Sequence, residues 1–140
     1  MGNMIKVGMA DLKICKAPDA LTTLGLGSCI GACLYDPVVK IAGMVHYMLP
    51  DSTKIKSNQN IAKFGDTGIR ELIRLMEEAG ARKSRIVAKI AGGARMFAVS
   101  ASVNLPGLNV GENNIEAARL NLSENGIAII AEDVGLNYGR

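Results

Sequence analysis

"DTGIRELIRLMEEAGARKSRIVAKIAGG", Asp66 to Gly93, carries two different hydrophobic patterns in succession, and the change between them decides the fold. In the first half Ile69, Leu72, Ile73 and Met76 recur at helical spacing. Asp66 or Thr67 can cap the start and Gly80 ends the run, which predicts an α-helix packed by one face. The second half, "SRIVAKIAG", is a nearly continuous apolar run, as expected of a strand covered on both faces, although periodicity alone would also admit a buried helix.

The same alternation extends in both directions. Downstream, "GENNIEAARLNLSENG" has a narrower stripe of Ile115, Ala118 and Leu122, with Asn113 or Asn114 near its start and Gly126 at its end. It is followed by the strand-like "GIAIIAED", which, like the upstream "KIAGMVHYML", is a nearly continuous apolar run expected of a strand covered on both faces. Upstream, "MIKVGM", "LKICK", "DALTTLGL" and "KIAGMVHYML" read as strands. Strands first, then helices alternating with strands, predict a single layered α/β (α+β) domain over residues 1–140, with a mixed sheet and two main helices. Three loops interrupt it: "LPDSTKIKSNQN" from Leu49, "AGGARMF" directly after a strand, and "NLPGLNVGENN".

Composition bounds the function. Of 140 residues 49% are apolar but only 4% aromatic, so Ile, Val, Leu, Met and Ala must build the core. The net charge of +3 is mild and the basic residues are scattered, which gives no reason to expect nucleic acid. The N-terminus lacks the apolar run of a signal peptide and no window reaches membrane-spanning length, so a cytoplasmic protein is expected. Three widely spaced cysteines, Cys15, Cys29 and Cys33, fit free thiols in a reducing compartment.

"TLGLGSCIGACLYD", Thr23 to Asp36, is the segment that carries chemistry. It is not a dinucleotide loop, because Ile30 occupies the third glycine position and Gly31 comes one residue late. A zinc site would have to recruit Cys15 and the only histidine, His46, to the pair Cys29 and Cys33, so no metal and no cofactor are expected. "CIGACLY" can be a core strand in which Cys33, like Cys15, packs as a small apolar group.

Cys29 differs through its neighbours. Attack on a carbonyl needs a thiol, a base, and backbone N–H groups aimed at the oxyanion. Gly25 and Gly27 allow a tight backbone around Ser28 and Cys29, and His46 ends an apolar strand beside a polar loop, where a side chain can reach a cleft. Cys29 is thus the candidate nucleophile, His46 the base, and Gly27 and Ser28 the oxyanion loop. Spacing leaves the group that orients the imidazole open among Thr22, Thr23, Ser28, Asp36, Asp51 and several asparagines.

Taken together, "TLGLGSCIGACLYDP", "GMVHYMLPDS", "KIAGGARMF", "NVGENNIEA" and "GIAIIAEDVGLNYGR" closely resemble the CheD family of chemoreceptor glutamine deamidases. The resemblance implies a cysteine hydrolase that converts glutamine side chains of methyl-accepting chemotaxis receptors to glutamate and releases ammonia. By position it assigns the nucleophile to Cys29, the histidine to His46 and the third triad member to Thr23. It further implies binding of the CheC phosphatase, and a fold related to the catalytic domain of deamidating bacterial toxins. Two departures from the family pattern are Leu136, where a second glycine is common, and an end at Arg140 where relatives continue through short strands.

A rival expectation is a non-catalytic partner of the CheC phosphatase with an inert Cys29. An enzyme should present a solvent-reachable thiol, a pure binder an occluded one. "AGGARMF" is the candidate partner loop: Gly92 and Gly93 allow close backbone approach, and Met96 with Phe97 supply an apolar anchor, unless Phe97 fills the core. "LPDSTKIKSNQN" is either a substrate rim, with Lys54 and Lys56 meeting acidic helix faces, or a solvated loop.

Overall fold

Around the cysteine segment the chain forms the central strand of a sheet. The computed structural model describes residues 2–54, 60–95 and 109–140. In chain order these give β1 (Met4–Lys6), β2 (Asp11–Lys16), β3 (Ala20–Thr22), β4 (Ile30–Asp36), β5 (Ile41–Tyr47), α1 (Gly65–Glu78), β6 (Val87–Gly92), α2 (Val110–Glu124) and β7 (Ala128–Val134). Strands β2-β5-β4-β6-β7 make one sheet, antiparallel except for the parallel β6–β7 pair that α2 connects. A separate parallel pair, β1 with β3, forms a small second layer. The result is the mixed α+β architecture with two main helices that the pattern predicts.

Alternation sorts the sheet's two faces. Ile30, Ala32 and Leu34 of β4 and Ile41, Val45 and Tyr47 of β5 join the core with Ile69, Leu72, Ile73 and Met76 of α1 and Ile115, Ala118 and Leu122 of α2. Gly43 is required there: a Cβ on it would lie 2.7 Å from both Leu72 Cδ1 and Met76 Sδ, so α1 rests almost on the β5 backbone. Burying each large aliphatic side chain in this layer contributes about 1.5–3 kcal/mol.

On the opposite face point Gly31 and Cys33 of β4 and Ala42, Met44 and His46 of β5. The sheet there is only partly covered, and a cavity of about 490 Å³ bordered by Leu21, Cys33, Tyr35, Met44, Lys89 and Ile130 lies over it.

This uneven cover corrects the expectation that β5, β6 and β7 are all buried on both faces. Of the three, only β5 is buried nearly throughout, while β6 alternates and β7 is mostly exposed, with Ile130 at 57%. The reason is position, since β7 is the edge strand and pairs with β6 alone. Of its apolar residues, Ile129 and Val134 pack against the core while Ile130 faces outward.

The helix starts differ too. α1 begins at Gly65 behind Phe64 with no side-chain cap. Asp66 instead accepts hydrogen bonds from the Ser52 N–H at 3.0 Å and hydroxyl at 2.8 Å, and Thr67 donates to the Ile61 carbonyl at 2.6 Å. Both side chains fasten the preceding turns to the helix rather than capping it. α2 begins at Val110, which moves Asn113 and Asn114 inside the helix.

Asp36 closes the far end of β4. Fully buried, it accepts from Arg85 at 2.8 Å and from the Arg82 and Val38 N–H groups at 2.9 and 3.0 Å. The Arg85 guanidinium hydrogen bond, reinforced by the two N–H groups, holds its carboxyl well below the usual carboxylate range.

Candidate active site

His46 sits on the less covered face of β5, paired in register with Gly31 of β4 on one side and Asp11 of β2 on the other. The chain after β3 crosses this point: a Cβ on Gly31 would meet Leu26 Cδ1 at 3.1 Å and Thr23 Cγ2 at 3.6 Å. The absence of a side chain at Gly31 leaves room for the imidazole and its cover, and His46 is only 1% exposed.

Thr23 fixes the imidazole. Its hydroxyl lies 2.7 Å from the Val7 carbonyl and 2.9 Å from His46 Nδ1. A carbonyl only accepts, so the single hydroxyl hydrogen goes to Val7 and the Thr23 oxygen must accept from His46. This assigns the imidazole proton to Nδ1 and leaves the lone pair on Nε2. Nε2 is buried and has no hydrogen-bond partner among the described residues, the Cys29 thiol included. Burial also pushes the His46 pKa below its ordinary value, favouring the neutral ring.

Cys29 lies one residue before β4, two residues from the partner of His46. Its turn is held through its carbonyl groups. The Gly27 carbonyl accepts from the Ala94 N–H at 2.9 Å and the Cys29 carbonyl from the Gly93 N–H at 2.8 Å. Between them, the Ser28 carbonyl accepts from Asn114 Nδ2 of α2 at 2.9 Å.

Gly92 and Gly93 make this possible. With φ of +106°, Gly92 would place a Cβ 2.1 Å from the Cys29 carbonyl oxygen; with φ of +66°, Gly93 would place one 2.4 Å from Ile115 Cγ1. The close approach these glycines permit is therefore to the Cys29 turn and α2, and both are buried. Met96, Phe97 and Lys56 lie outside the described residues, and Lys54 ends the short 3₁₀ turn Ser52–Lys54.

The thiols do not differ in simple exposure as expected of a reactive cysteine. Cys29 is 8% exposed and Cys15 9%, while Cys33, at the open sheet face, is only partly buried. Burial raises the pKa of all three; at Cys29 its own N–H works in the opposite direction. These directions favour a neutral thiol at Cys29 and a neutral imidazole at His46, and no hydrogen bond joins the two among the described residues.

Of the candidate orienting groups, Thr23 is bonded to His46. Asp36 lies at the opposite end of β4 and serves Arg85. Asp51 accepts from Thr53 in the polar loop. Among the described residues no group of three or more His, Cys, Asp or Glu could hold a metal ion.

Sequence reading missed Asn114, taken there for a residue near a helix start. It is fully buried and donates from one amide to Ser28 and to the Met48 carbonyl, each at 2.9 Å. A signal was present: Asn114 falls on the same helical stripe as Ile115, Ala118 and Leu122. A polar side chain on an apolar stripe marks a specific buried partner.

A family model described as "CheD chemotactic sensory transduction" matches residues 48–140. The chain is 62% identical over 140 residues to the "Probable chemoreceptor glutamine deamidase CheD" of Lachnoclostridium phytofermentans, covering 100% of this chain and 86% of that protein. It is 53% identical over 137 residues to the protein of the same name from Caldanaerobacter subterraneus subsp. tengcongensis, covering 98% and 83%. To the "Chemoreceptor glutamine deamidase CheD" of Halalkalibacterium halodurans it is 45% identical over 141 residues, covering 100% and 86%. Among solved structures, the Bacillus licheniformis hypothetical protein YfiH aligns at 18% identity with a TM-score of 0.48, over 85% of this chain and 52% of that one.

Proposed function

Since the chain belongs to the CheD family, we propose that it is a chemoreceptor glutamine deamidase in which Cys29 is the nucleophile, His46 the general base and acid, and Thr23 the group that orients His46. The observation that carries this reading is the fixed tautomer of His46. Its proton is committed to Nδ1 by Thr23, so a basic nitrogen is left unengaged on the sheet face that carries the cysteine segment.

With a neutral pair as the resting state, the proton moves during attack. As Sγ of Cys29 bonds to the glutamine side-chain carbon, its hydrogen passes to Nε2 of His46, and the carbonyl π electrons move to oxygen. The oxyanion is held by N–H groups of the Gly27–Ser28–Cys29 turn; removing one such donor costs roughly 10²–10³ in kcat in other enzymes.

The imidazolium then gives its proton to the leaving nitrogen, the C–N bond breaks, and ammonia departs from a thioester. Water, deprotonated by the same nitrogen, attacks the thioester. The C–S bond breaks, Cys29 regains its proton and glutamate remains. Thr23 offers an acceptor without a negative charge, so it aligns the imidazolium but stabilises it less than a carboxylate would.

The substrates on this reading are glutamines on methyl-accepting chemotaxis receptors. The protein acts in the cytoplasm; none of the described helices is long and apolar enough to cross a membrane. The CheC phosphatase is a further partner, with Met96 and Phe97 as its contact.

A second reading has one observation in its favour. Cys29 is as buried as Cys15, which suits a protein that acts chiefly by binding and regulating the CheC phosphatase. Incubation with a purified receptor cytoplasmic fragment separates the two. Glutamine-to-glutamate conversion at discrete sites, with equimolar ammonia, is expected of the deamidase; tight phosphatase binding without conversion would favour the regulator.

A further inference from the structure

The nucleophile turn and the histidine strand meet at one side chain in the core. Asn114 Nδ2 donates one hydrogen to the Ser28 carbonyl and the other to the Met48 carbonyl, both at 2.9 Å. Ser28 immediately precedes Cys29, and Met48 follows His46 by two residues. Both acceptors are carbonyls, so the amide orientation is unambiguous: nitrogen faces them and Oδ1 faces away, with no partner among the described residues. The main chain of Asn114 is tied to the same strand, since the Tyr47 hydroxyl donates to its carbonyl.

The geometry of the peptide unit gives this anchor a consequence beyond packing. The Ser28–Cys29 peptide is planar and trans, so its C=O and N–H point in opposite directions. Pinning the Ser28 carbonyl toward α2 therefore aims the Cys29 N–H away from α2. That N–H belongs to the residue whose Sγ attacks, so a donor aimed this way can meet the oxygen of the attacked carbonyl. Without Asn114 nothing described would hold the Ser28 carbonyl, and this peptide plane could turn while its neighbours stayed fixed by Gly93 and Ala94.

We propose that Asn114 is a positioning residue of the active site: its one amide, anchored to Met48, holds the Ser28 carbonyl and so orients the Cys29 N–H as an oxyanion donor. The inference rests on the deamidase reading above. It assigns to a core asparagine a share of kcat rather than of substrate binding.

The test compares Asn114→Leu, which keeps the volume but has no donor, and Asn114→Asp, nearly isosteric, with the full-length wild type and with Cys29→Ala. Each is assayed for deamidation of a receptor fragment, for thermal unfolding, and for the rate at which iodoacetamide alkylates Cys29. Alkylation displaces iodide at carbon and forms no oxyanion, so it reports the thiol without the donor.

In folded Asn114 variants kcat is expected to fall about 10²-fold, KM to stay within about threefold, and Cys29 alkylation within about threefold of wild type. Unchanged kcat in a folded variant would overturn the proposal, as would parallel losses of kcat and alkylation. Failure of both variants to fold would assign Asn114 to stability alone and overturn it equally. Full activity in Cys29→Ala would instead remove Cys29 as the nucleophile, and no conversion by the wild type would remove the deamidase reading itself, both separate outcomes from any of these.

Discussion

Thr23 and His46 are joined by a hydrogen bond whose direction is fixed from outside the pair. The Thr23 hydroxyl, 2.9 Å from Nδ1, already donates to the Val7 carbonyl at 2.7 Å and can only accept from the ring. A neutral residue thus selects the same tautomer that a carboxylate selects in other hydrolases. Thr23→Ser, which retains the hydroxyl, should keep kcat within a few-fold of wild type. Thr23→Val should lower it by roughly tenfold or more with little change in KM, because Nδ1–H loses its acceptor and the ring its alignment. Steady-state kinetics on a receptor fragment checks both; equal activity of Val and Ser variants would remove Thr23 from catalysis.

A neutral resting pair has its own pH signature. Burial lowers the His46 pKa and raises that of Cys29, so the reactive form, neutral ring with protonated thiol, occupies a wide window. The acid limb of kcat/KM reports protonation of His46 and should have its midpoint below the ordinary histidine value of about 6.5. No decline should follow up to the ordinary thiol value of about 8.5. An ion-pair enzyme would instead lose activity on the alkaline side as its imidazolium deprotonates.

Exposure and activation rank the thiols oppositely. Cys33 is the least buried and borders the open cavity, whereas Cys29 is 8% exposed but lies beside the His46 strand. In native protein at neutral pH, Cys29 should alkylate faster than Cys33, and His46→Ala should slow Cys29 alone. Peptide mass mapping resolves each site. Alkylation of Cys33 first, unaffected by His46, would mean that access alone governs these thiols.

The ion pair of Asp36 with Arg85 makes a stability test independent of the site. Asp36 has a depressed pKa in the folded protein, so its contribution is complete above the unfolded carboxyl value, about 3.9, and is lost as pH falls toward the folded one. Arg85→Met should lower the melting temperature by a constant amount above about pH 5. That difference should shrink below about pH 4 as the carboxyl becomes protonated in both states. A difference that persists unchanged into strong acid would assign the loss to packing.

What the sequence disclosed follows from what each signal encodes. The α1 stripe of Ile69, Leu72, Ile73 and Met76 is a one-dimensional pattern of a one-dimensional property, and it located the helix to within two or three residues of its cap and two of its end. Burial of β7 was misjudged because an apolar run marks a strand, while its exposure depends on being last in the sheet, which only topology reveals. The cysteine segment and His46 were legible as reactive types. Their relation was not, because the register that sets Gly31 beside His46, and the crossing of Thr23 over both, join residues far apart in the chain. Asn114 was legible only as an anomaly on an apolar stripe; the two carbonyls it holds lie on different elements.

The most direct measurement is the time course of glutamine-to-glutamate conversion on a purified chemoreceptor cytoplasmic fragment, followed by peptide mass spectrometry and ammonia release, with wild type, Cys29→Ala and His46→Ala at equal concentration and verified fold. Wild type should convert discrete glutamines while both variants fall to the rate of the fragment alone. Conversion by Cys29→Ala at the wild-type rate would contradict a cysteine nucleophile at this site.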